Sequence, residues 1–285
     1  MHALADEADP LAFLKEHGAR FRGVAGGSVS AQMIENMPNL EIISNFGVGY
    51  DSVDMEAAKR RNIRVTNTPD VLNDAVAELT IGLMVALSRR IPQDDQAVRT
   101  GNWLISEFPL QTELKGKTVG IYGLGRIGEE VARRCQAMKM RVVYFGRTRK
   151  EQVTYKYYAD LLAMAQDSDW LIVTAPGGHA TRLTVNRAVL EALGADGKLV
   201  NMARGSLVDE PALVELLQTG ALGGAALDVF ENEPNVPPEL RVLDNVVLSS
   251  HRGSATHETR AAMAKLVMDN LDAHFSRLPL LTPVI

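Results

Sequence analysis

The sequence predicts an α/β fold built on a parallel sheet with helices on both faces, and three observations carry that prediction. Short, continuously apolar runs alternate with helical stretches through the centre of the chain, as strands buried on both faces require. A glycine-rich turn, Gly123-Leu124-Gly125-Arg126-Ile127-Gly128, stands between one such strand and the helix after it. The chain has 285 residues, 46% of them hydrophobic, which is enough for two lobes and a substantial core.

The elements follow in order. Residues 22–25 and 41–44 read as strands, 54–60 as a helix, and 63–66 as a further strand closed by Asn67-Thr68-Pro69. Residues 74–90 form a helix of Ala, Leu, Ile and Met capped by Asn73 or Asp74. It is apolar nearly all round, so it is expected to be buried in a domain or subunit interface. Strands are then expected at 118–122, 141–145, 170–174, 198–201, 225–228 and 246–248. An alanine- and arginine-rich helix follows Gly128. A second helix, near 186–193, stops at Gly194, and a third starts at Asp209 with Pro211 in its first turn and stops at Gly220. The last helix, about 257–277, follows a Ser-Ala-Thr cap region. There is no solenoid-type repeat and no low-complexity segment.

The glycine turn has the dinucleotide-binding spacing in its required context, strand before and helix after. Gly123 permits the tight turn, Gly125 lets the backbone approach a pyrophosphate, and Gly128 allows close helix–strand packing. A diphosphate would sit against free N–H groups at the helix N-terminus. About twenty residues further on, an acidic side chain usually grips the ribose hydroxyls. Here the second strand ends instead in Gly146-Arg147-Thr148-Arg149-Lys150, starting eighteen residues after Gly128. Cations in place of a carboxylate suit a ribose with a 2′-phosphate, so NADP(H) is preferred and NAD(H) is possible. The competing reading makes Arg147 a solvated loop cation.

Net charge is −5, and the positive charges are scattered except at 147–150, which excludes a nucleic-acid footprint. The single cysteine, Cys135, falls on the helix after the turn among Val131, Ala132 and Met138. A packed core thiol fits, since disulfide frameworks need pairs. No leader and no long apolar span appears, so a cytoplasmic protein that does not engage membranes is expected. No His/Cys/Glu spacing suggests a metal.

Several segments together resemble the D-isomer-specific 2-hydroxyacid dehydrogenases, most closely the glyoxylate/hydroxypyruvate and hydroxyphenylpyruvate reductase branch. They are Asn45-Phe-Gly-Val-Gly-Tyr-Asp-Ser-Val-Asp54, Asn67-Thr-Pro-Asp70, Ala77-Glu-Leu-Thr-Ile-Gly82 and the glycine turn. Further on come Asn201-Met-Ala-Arg-Gly205-Ser-Leu-Val-Asp-Glu210, Asp228-Val-Phe-Glu-Asn-Glu-Pro234 and Ser250-His-Arg-Gly-Ser254. The resemblance implies two Rossmann-like or flavodoxin-like lobes, with a doubly wound cofactor domain (70–254) inserted into a smaller, discontinuous substrate domain (1–69 and 255–285). It also implies a homodimer formed through the cofactor domain. Family members carry a further first strand ahead of this chain's start, so Met1 reads as an internal start or the chain as shortened.

By the same resemblance, His251 matches the acid that protonates a keto oxygen, and it follows the last strand at the carboxyl edge of the sheet. A histidine suits the task because its pKa lies near the working pH. Glu233, immediately before Pro234, matches the carboxylate that orients this histidine, with Glu231 as the competing choice. Arg204 matches the arginine that binds the substrate carboxylate and polarises the keto oxygen, a bidentate duty suited to a planar guanidinium. The backbone N–H groups of Val48 and Gly49 match a second grip on that carboxylate, so catalysis is expected to need the lobes to close. Asp228 matches the acceptor for the nicotinamide carboxamide, its competing reading being a turn cap. Met202 falls on the nicotinamide side, Arg126 and Ile127 at the pyrophosphate, Arg147 and Thr148 at the ribose phosphate, and Gly253 beside His251. Ala175-Pro176-Gly177-Gly178 departs from the family's usual Pro-Leu-Thr-Pro, and Pro176 is placed beside the adenosine. Trp103 reads either as lining a partner subunit's pocket or as a buried core residue. The remaining histidines (His2, His17, His179, His257, His274) read as surface residues.

The expected function is NADPH-dependent reduction of a small 2-keto acid, such as glyoxylate, hydroxypyruvate or an aryl-pyruvate, to the D-2-hydroxy acid. Two alternatives stand beside it. One is an NAD(P)H-sensing corepressor-like interaction protein; the other is an NAD-dependent biosynthetic dehydrogenase, which would have an acidic residue at position 146.

Overall fold

The computed structural model describes residues 2–105 and 107–285. The expectation about Met1, and nothing else argued above, falls outside them. The chain separates into two compact units, one of Met1–Leu72 with Thr256–Ile285 and one of Asn73–Ala255.

In the first unit, α1 (Pro10–His17) and β1 (Gly23–Ala25) are followed by α2 (Ala31–Glu35) and β2 (Ile42–Ser44). Then come α3 (Met55–Arg60) and β3 (Arg64–Thr66). Side chains of Asp9, Ser30 and Asp54 cap the three helices by accepting N–H bonds of their first turns. The strands form a parallel sheet in the order β1-β2-β3, and the chain's end adds an antiparallel pairing of Thr66 with Pro283. Leu14, Ile34, Ile43, Ala58 and Val65 are the centre of its core. The C-terminal helix, His257–Phe275, packs against β1 and β2, and the Ser44 hydroxyl donates to the Val267 carbonyl at 3.1 Å.

The second unit begins with α4 (Asn73–Arg89) and α5 (Ile91–Thr100). The alternating section is β4 (Thr118–Tyr122), α6 (Arg126–Ala137), β5 (Arg141–Phe145), β6 (Lys156–Tyr158), α7 (Leu161–Gln166) and β7 (Trp170–Val173). It continues with α8 (Arg187–Leu193), β8 (Lys198–Asn201), α9 (Glu210–Thr219), β9 (Gly224–Leu227) and β10 (Val246–Leu248). All pairings are parallel, in the order β10-β9-β8-β7-β4-β5-β6. The direction of winding reverses between β4 and β7. In open α/β sheets, ligands bind outside the carboxyl ends of strands at that reversal.

One face of the sheet is covered by Val189, Leu190, Leu193, Leu213, Leu216 and Leu217 of α8 and α9. On the other face α4 packs along α6 and over β8, β9 and β10. Within this chain α4 is covered along one face. Ala75, Val76, Ala77, Leu83, Met84 and Leu87 are buried, but Asp74, Glu78, Gly82 and Arg89 are exposed, with Ile81 and Val85 half-covered. The helix lies on its own sheet by one face and leaves the other uncovered. Trp103 is no core residue, because it is 66% exposed on a short turn after α5. Among the histidines read as surface residues, His17 is half-buried, and so is His274, whose Nε2 lies 3.2 Å from Glu41.

Candidate active site

The glycine turn follows β4 at the reversal point. Gly123 has φ +98°, and an added Cβ there would lie 2.6 Å from the Ala175 backbone after β7, so only glycine fits. A Cβ on Gly128 would lie 2.4 Å from the Gly123 carbonyl oxygen, which lets α6 start directly against the turn. At Gly125, the residue preceding α6, nothing stands within 4 Å of that position. The open side of Gly125 and the N-terminus of α6 meet at the place where a diphosphate would sit in this fold.

At the end of β5, Arg147, Thr148 and Arg149 are exposed. Lys150 is held differently, since its ammonium pairs with Glu129 of α6 and its backbone N–H donates to the Tyr144 hydroxyl at 2.7 Å. The cationic turn is thereby pinned at Lys150 while Arg147 extends into solvent. Pro176 is exposed on the turn after β7, where its carbonyl accepts from the Thr181 hydroxyl at 2.8 Å.

Arg204, Glu233 and His251 come from the loops after β8, β9 and β10, three neighbouring strands. Each loop is fixed by its own side chains. After β8, the Asn201 amide donates to the Arg204 carbonyl at 2.9 Å and its oxygen accepts from the Ala203 N–H at 3.0 Å. The guanidinium of Arg204 donates to the Ala203 carbonyl at 2.8 Å. The next residue, Gly205, is pressed against the loop after β9, where an added Cβ would lie 1.9 Å from the Phe230 carbonyl carbon.

After β9, one oxygen of Glu233 accepts from the Phe230 N–H at 3.0 Å and the other lies 2.7 Å from His251 Nδ1. Glu231 instead pairs with Arg182 at 2.9 Å, which separates the two competing glutamates by partner. A carboxylate facing Nδ1 requires the proton on that nitrogen, so Nε2 is the atom left to exchange protons. Among the described residues of its unit Nε2 takes no partner, and the side chain is half exposed. His251 has φ +56°, a left-handed backbone costing roughly 1–2 kcal/mol for a non-glycine residue. Its N–H is bonded to the Asp228 carbonyl at 2.8 Å, which holds it there.

Asp228 is 2% exposed and fastens the loop after β10. One carboxylate oxygen accepts from the Ser249 hydroxyl at 2.5 Å and the Arg252 N–H at 2.7 Å; the other accepts from the Gly253 N–H at 2.8 Å. The turn-cap reading of Asp228 therefore describes three of its roughly four acceptor positions, leaving one for a carboxamide donor. Gly253 is buried with its N–H committed to Asp228, and an added Cβ there would lie 3.2 Å from Asp228 Oδ2, 3.3 Å from Val76 and 3.7 Å from the Met202 methyl. Met202 is 8% exposed, and its N–H donates to the Val173 carbonyl at 3.1 Å.

Three residues of this framework have no counterpart among the expected site residues: Asn201, Gly205 and Glu210. A carboxylate oxygen of Glu210 accepts from the Glu231 N–H at 3.1 Å, and burial pushes that carboxyl above the usual carboxylate range. The signal for Gly205 and Glu210 lay in their place directly after Arg204 and at the start of α9.

In the first unit, Val48 and Gly49 lie on the half-buried loop after β2. The Asn67 amide donates to the Val48 carbonyl at 2.9 Å.

Residues 81–253 match the family model described as the NAD binding domain of D-isomer specific 2-hydroxyacid dehydrogenase. Glyoxylate/hydroxypyruvate reductase A of Arabidopsis thaliana is 52% identical over 275 residues, covering 95% of this chain and 88% of the relative. Hydroxyphenylpyruvate reductase of Plectranthus scutellarioides is 50% identical over 276 residues, covering 96% of this chain and 88% of the relative. Among solved structures, the NADPH-dependent glyoxylate/hydroxypyruvate reductase of Sinorhizobium meliloti, crystallised with NADP and malonate, superposes with a TM-score of 0.94. It is 47% identical, and the match covers 98% of this chain and 88% of that one. The loops that carry Arg204, Glu233 and His251, the sheet that presents them and these relatives agree: the chain belongs to the D-isomer-specific 2-hydroxyacid dehydrogenases.

Proposed function

We propose that this chain reduces a small 2-keto acid to the D-2-hydroxy acid with NADPH as the reductant. The observation that carries the proposal is the 2.7 Å contact of Glu233 with His251 Nδ1, which fixes the ring and leaves Nε2 as its exchangeable face. When bound, the dinucleotide supplies the hydride. His251 donates its Nε2 proton to the keto oxygen as negative charge gathers there, and Glu233 stabilises the imidazolium before that transfer. Arg204 holds the substrate carboxylate through two parallel N–H bonds and draws charge toward the keto oxygen. Val48 and Gly49 are our candidates for a second hold on the same carboxylate.

The open side of Gly125 suits the diphosphate, and Arg147 with Thr148 suits a ribose 2′-phosphate, which supports NADPH over NADH. Met202, Asp228, Gly253 and Pro176 are proposed to border the nicotinamide and adenosine. The relatives named for glyoxylate, hydroxypyruvate and hydroxyphenylpyruvate reduction support the substrate class.

A homodimer through the second unit is the favoured assembly. Trp103, Leu104, Ile105 and Leu110 are 66%, 88%, 83% and 101% exposed, an apolar surface that monomers rarely leave open. No helix of the described residues is long and apolar enough to cross a membrane. We place the protein in the cytoplasm, where NADPH pools are kept reduced.

The test is a steady-state panel of glyoxylate, hydroxypyruvate, phenylpyruvate and 4-hydroxyphenylpyruvate, each with NADPH and with NADH. Turnover of at least one acid, faster with NADPH, is expected. NADPH binding without oxidation by any of the four would favour the cofactor-sensing alternative.

A further inference from the structure

The loop after β2 in the first unit has an unusual distribution of hydrogen bonds. Its three successive carbonyls, at Gly47, Val48 and Gly49, are all tied to donors of the same unit. The side-chain amide of Asn45 donates to two of them, Gly47 at 2.9 Å and Gly49 at 3.0 Å. The Asn67 amide takes Val48 at 2.9 Å, and the Thr68 N–H takes Gly47 again at 3.0 Å. The donors are in the opposite condition. The Phe46 N–H goes to Gly26 and the Val53 N–H to Tyr50, but among the described residues no hydrogen bond has the N–H of Gly47, Val48, Gly49 or Tyr50 as donor. A loop with these three acceptors turned in and four successive N–H groups left over has the polarity that an anion receptor made of backbone needs.

Asn45 is the residue on which this polarity depends. Its side chain is 1% exposed, and its amide nitrogen makes both carbonyl contacts while its Oδ1 is buried with no hydrogen-bond partner. Leaving a buried acceptor unmade costs free energy, so the side chain is held for its two N–H bonds rather than for its oxygen. No other side chain of this size offers two donors from one atom in that space. Serine and threonine have one, and an ionised aspartate has none.

We infer that Asn45, seconded by Asn67, is a positioning residue that presents the N–H groups of residues 47–50 as a receptor for the carboxylate of the substrate. The inference rests on the keto-acid reading above, in which Val48 and Gly49 hold that group. It adds what makes them able to do so and why an asparagine is required.

The test is Asn45→Asp, which keeps the shape but replaces two donors by a carboxylate facing two carbonyl oxygens. In the holoenzyme the KM for the best 2-keto acid of the panel should rise about tenfold or more, the loss expected when charge-assisted hydrogen bonds are misaligned, with kcat changing far less. The preference for the acid over its methyl ester should fall by a similar factor, because the ester has no anion to hold. A merely structural role would weaken acid and ester alike. NADPH affinity should stay unchanged. Asn67→Asp, at a half-buried position, repeats the experiment where Asn45→Asp melts at a markedly lower temperature. Oxalate affinity of the NADPH-loaded protein, by calorimetry, reads the receptor without turnover, and it should fall about tenfold in Asn45→Asp. An inactive wild type that still shows this oxalate loss would overturn the keto-acid reading and leave the receptor standing. Unchanged KM, acid-over-ester preference and oxalate affinity in a folded variant would overturn the inference itself.

Discussion

Replacing Gly205 with alanine tests whether the loops carrying Arg204 and Glu233 position one another. The added methyl would lie 1.9 Å from the Phe230 carbonyl carbon and 2.2 Å from both the Phe230 oxygen and the Glu231 nitrogen, all backbone atoms without rotamer freedom. Reaching ordinary contact at 3.4 Å means moving that peptide by about 1.5 Å. The adjoining peptide, on the other side of the Phe230 Cα, anchors Glu233, which accepts the Phe230 N–H at 3.0 Å and meets His251 Nδ1 at 2.7 Å. A displacement of that size exceeds the tolerance of either bond, and a misplacement of about 1 Å costs roughly a hundredfold in catalysis. Overpacking itself costs about 1–3 kcal/mol, so the variant should fold with a lowered Tm. The assay is kcat/KM for hydroxypyruvate and NADPH alongside NADPH affinity by fluorescence. A loss of about a hundredfold is expected with cofactor affinity within about twofold of wild type, because the glycine turn lies after another strand. A folded variant with wild-type kcat/KM would refute the coupling of the two loops.

Other perturbations read other parts of the account. Arg147→Ala should weaken NADPH by about tenfold or more and NADH hardly at all; equal losses would remove the phosphate role of Arg147. His251→Ala should lower kcat by about 10²–10⁴ while NADPH binding persists, and retention of turnover would exclude it as the acid. Cys135 gives a pH prediction: burial pushes its thiol from 9.0 up to about 12. The folded pKa is raised, so the stability it contributes is complete below pH 9 and is lost as pH climbs toward 12. Its size is on the order of 4 kcal/mol across that window. Cys135→Ala should therefore flatten the alkaline limb of the unfolding curve, and an unchanged limb would contradict the burial argument.

Much of the second unit was legible because its strands are apolar on both faces and its turns are marked by glycine. The strands 118–122, 141–145, 198–201 and 246–248 stand where their apolar runs predicted. The elements without a sequence signal have physical reasons for it. β6 is three residues of Lys and Tyr at a sheet edge, exposed or half-buried throughout, so no apolar run announces it. α5 is polar along most of its length and buries only Ala97. The covered face of α4 was hidden because composition reports that a helix is apolar but not which side finds a partner.

The site was legible to a different depth. The glycine turn and the cationic end of β5 speak through local backbone geometry and charge, which sequence records directly. Arg204, Glu233 and His251 were reached through family resemblance, with Glu231 and Glu233 told apart only by the neighbouring Pro234. What separates them in space is partner choice, Arg182 for one and His251 for the other. The roles of Gly205, Asp228 and Asn45 were the least readable. Each depends on a contact with backbone that the sequence alone does not bring near, or on which half of an amide faces a carbonyl.

The most direct test of the central claim is the chirality of the product formed from hydroxypyruvate and NADPH by the purified protein. D-glycerate is expected in amounts equal to the NADPH oxidised, with loss of that product in Arg204→Ala. NADPH bound without product, or L-glycerate, would contradict that claim.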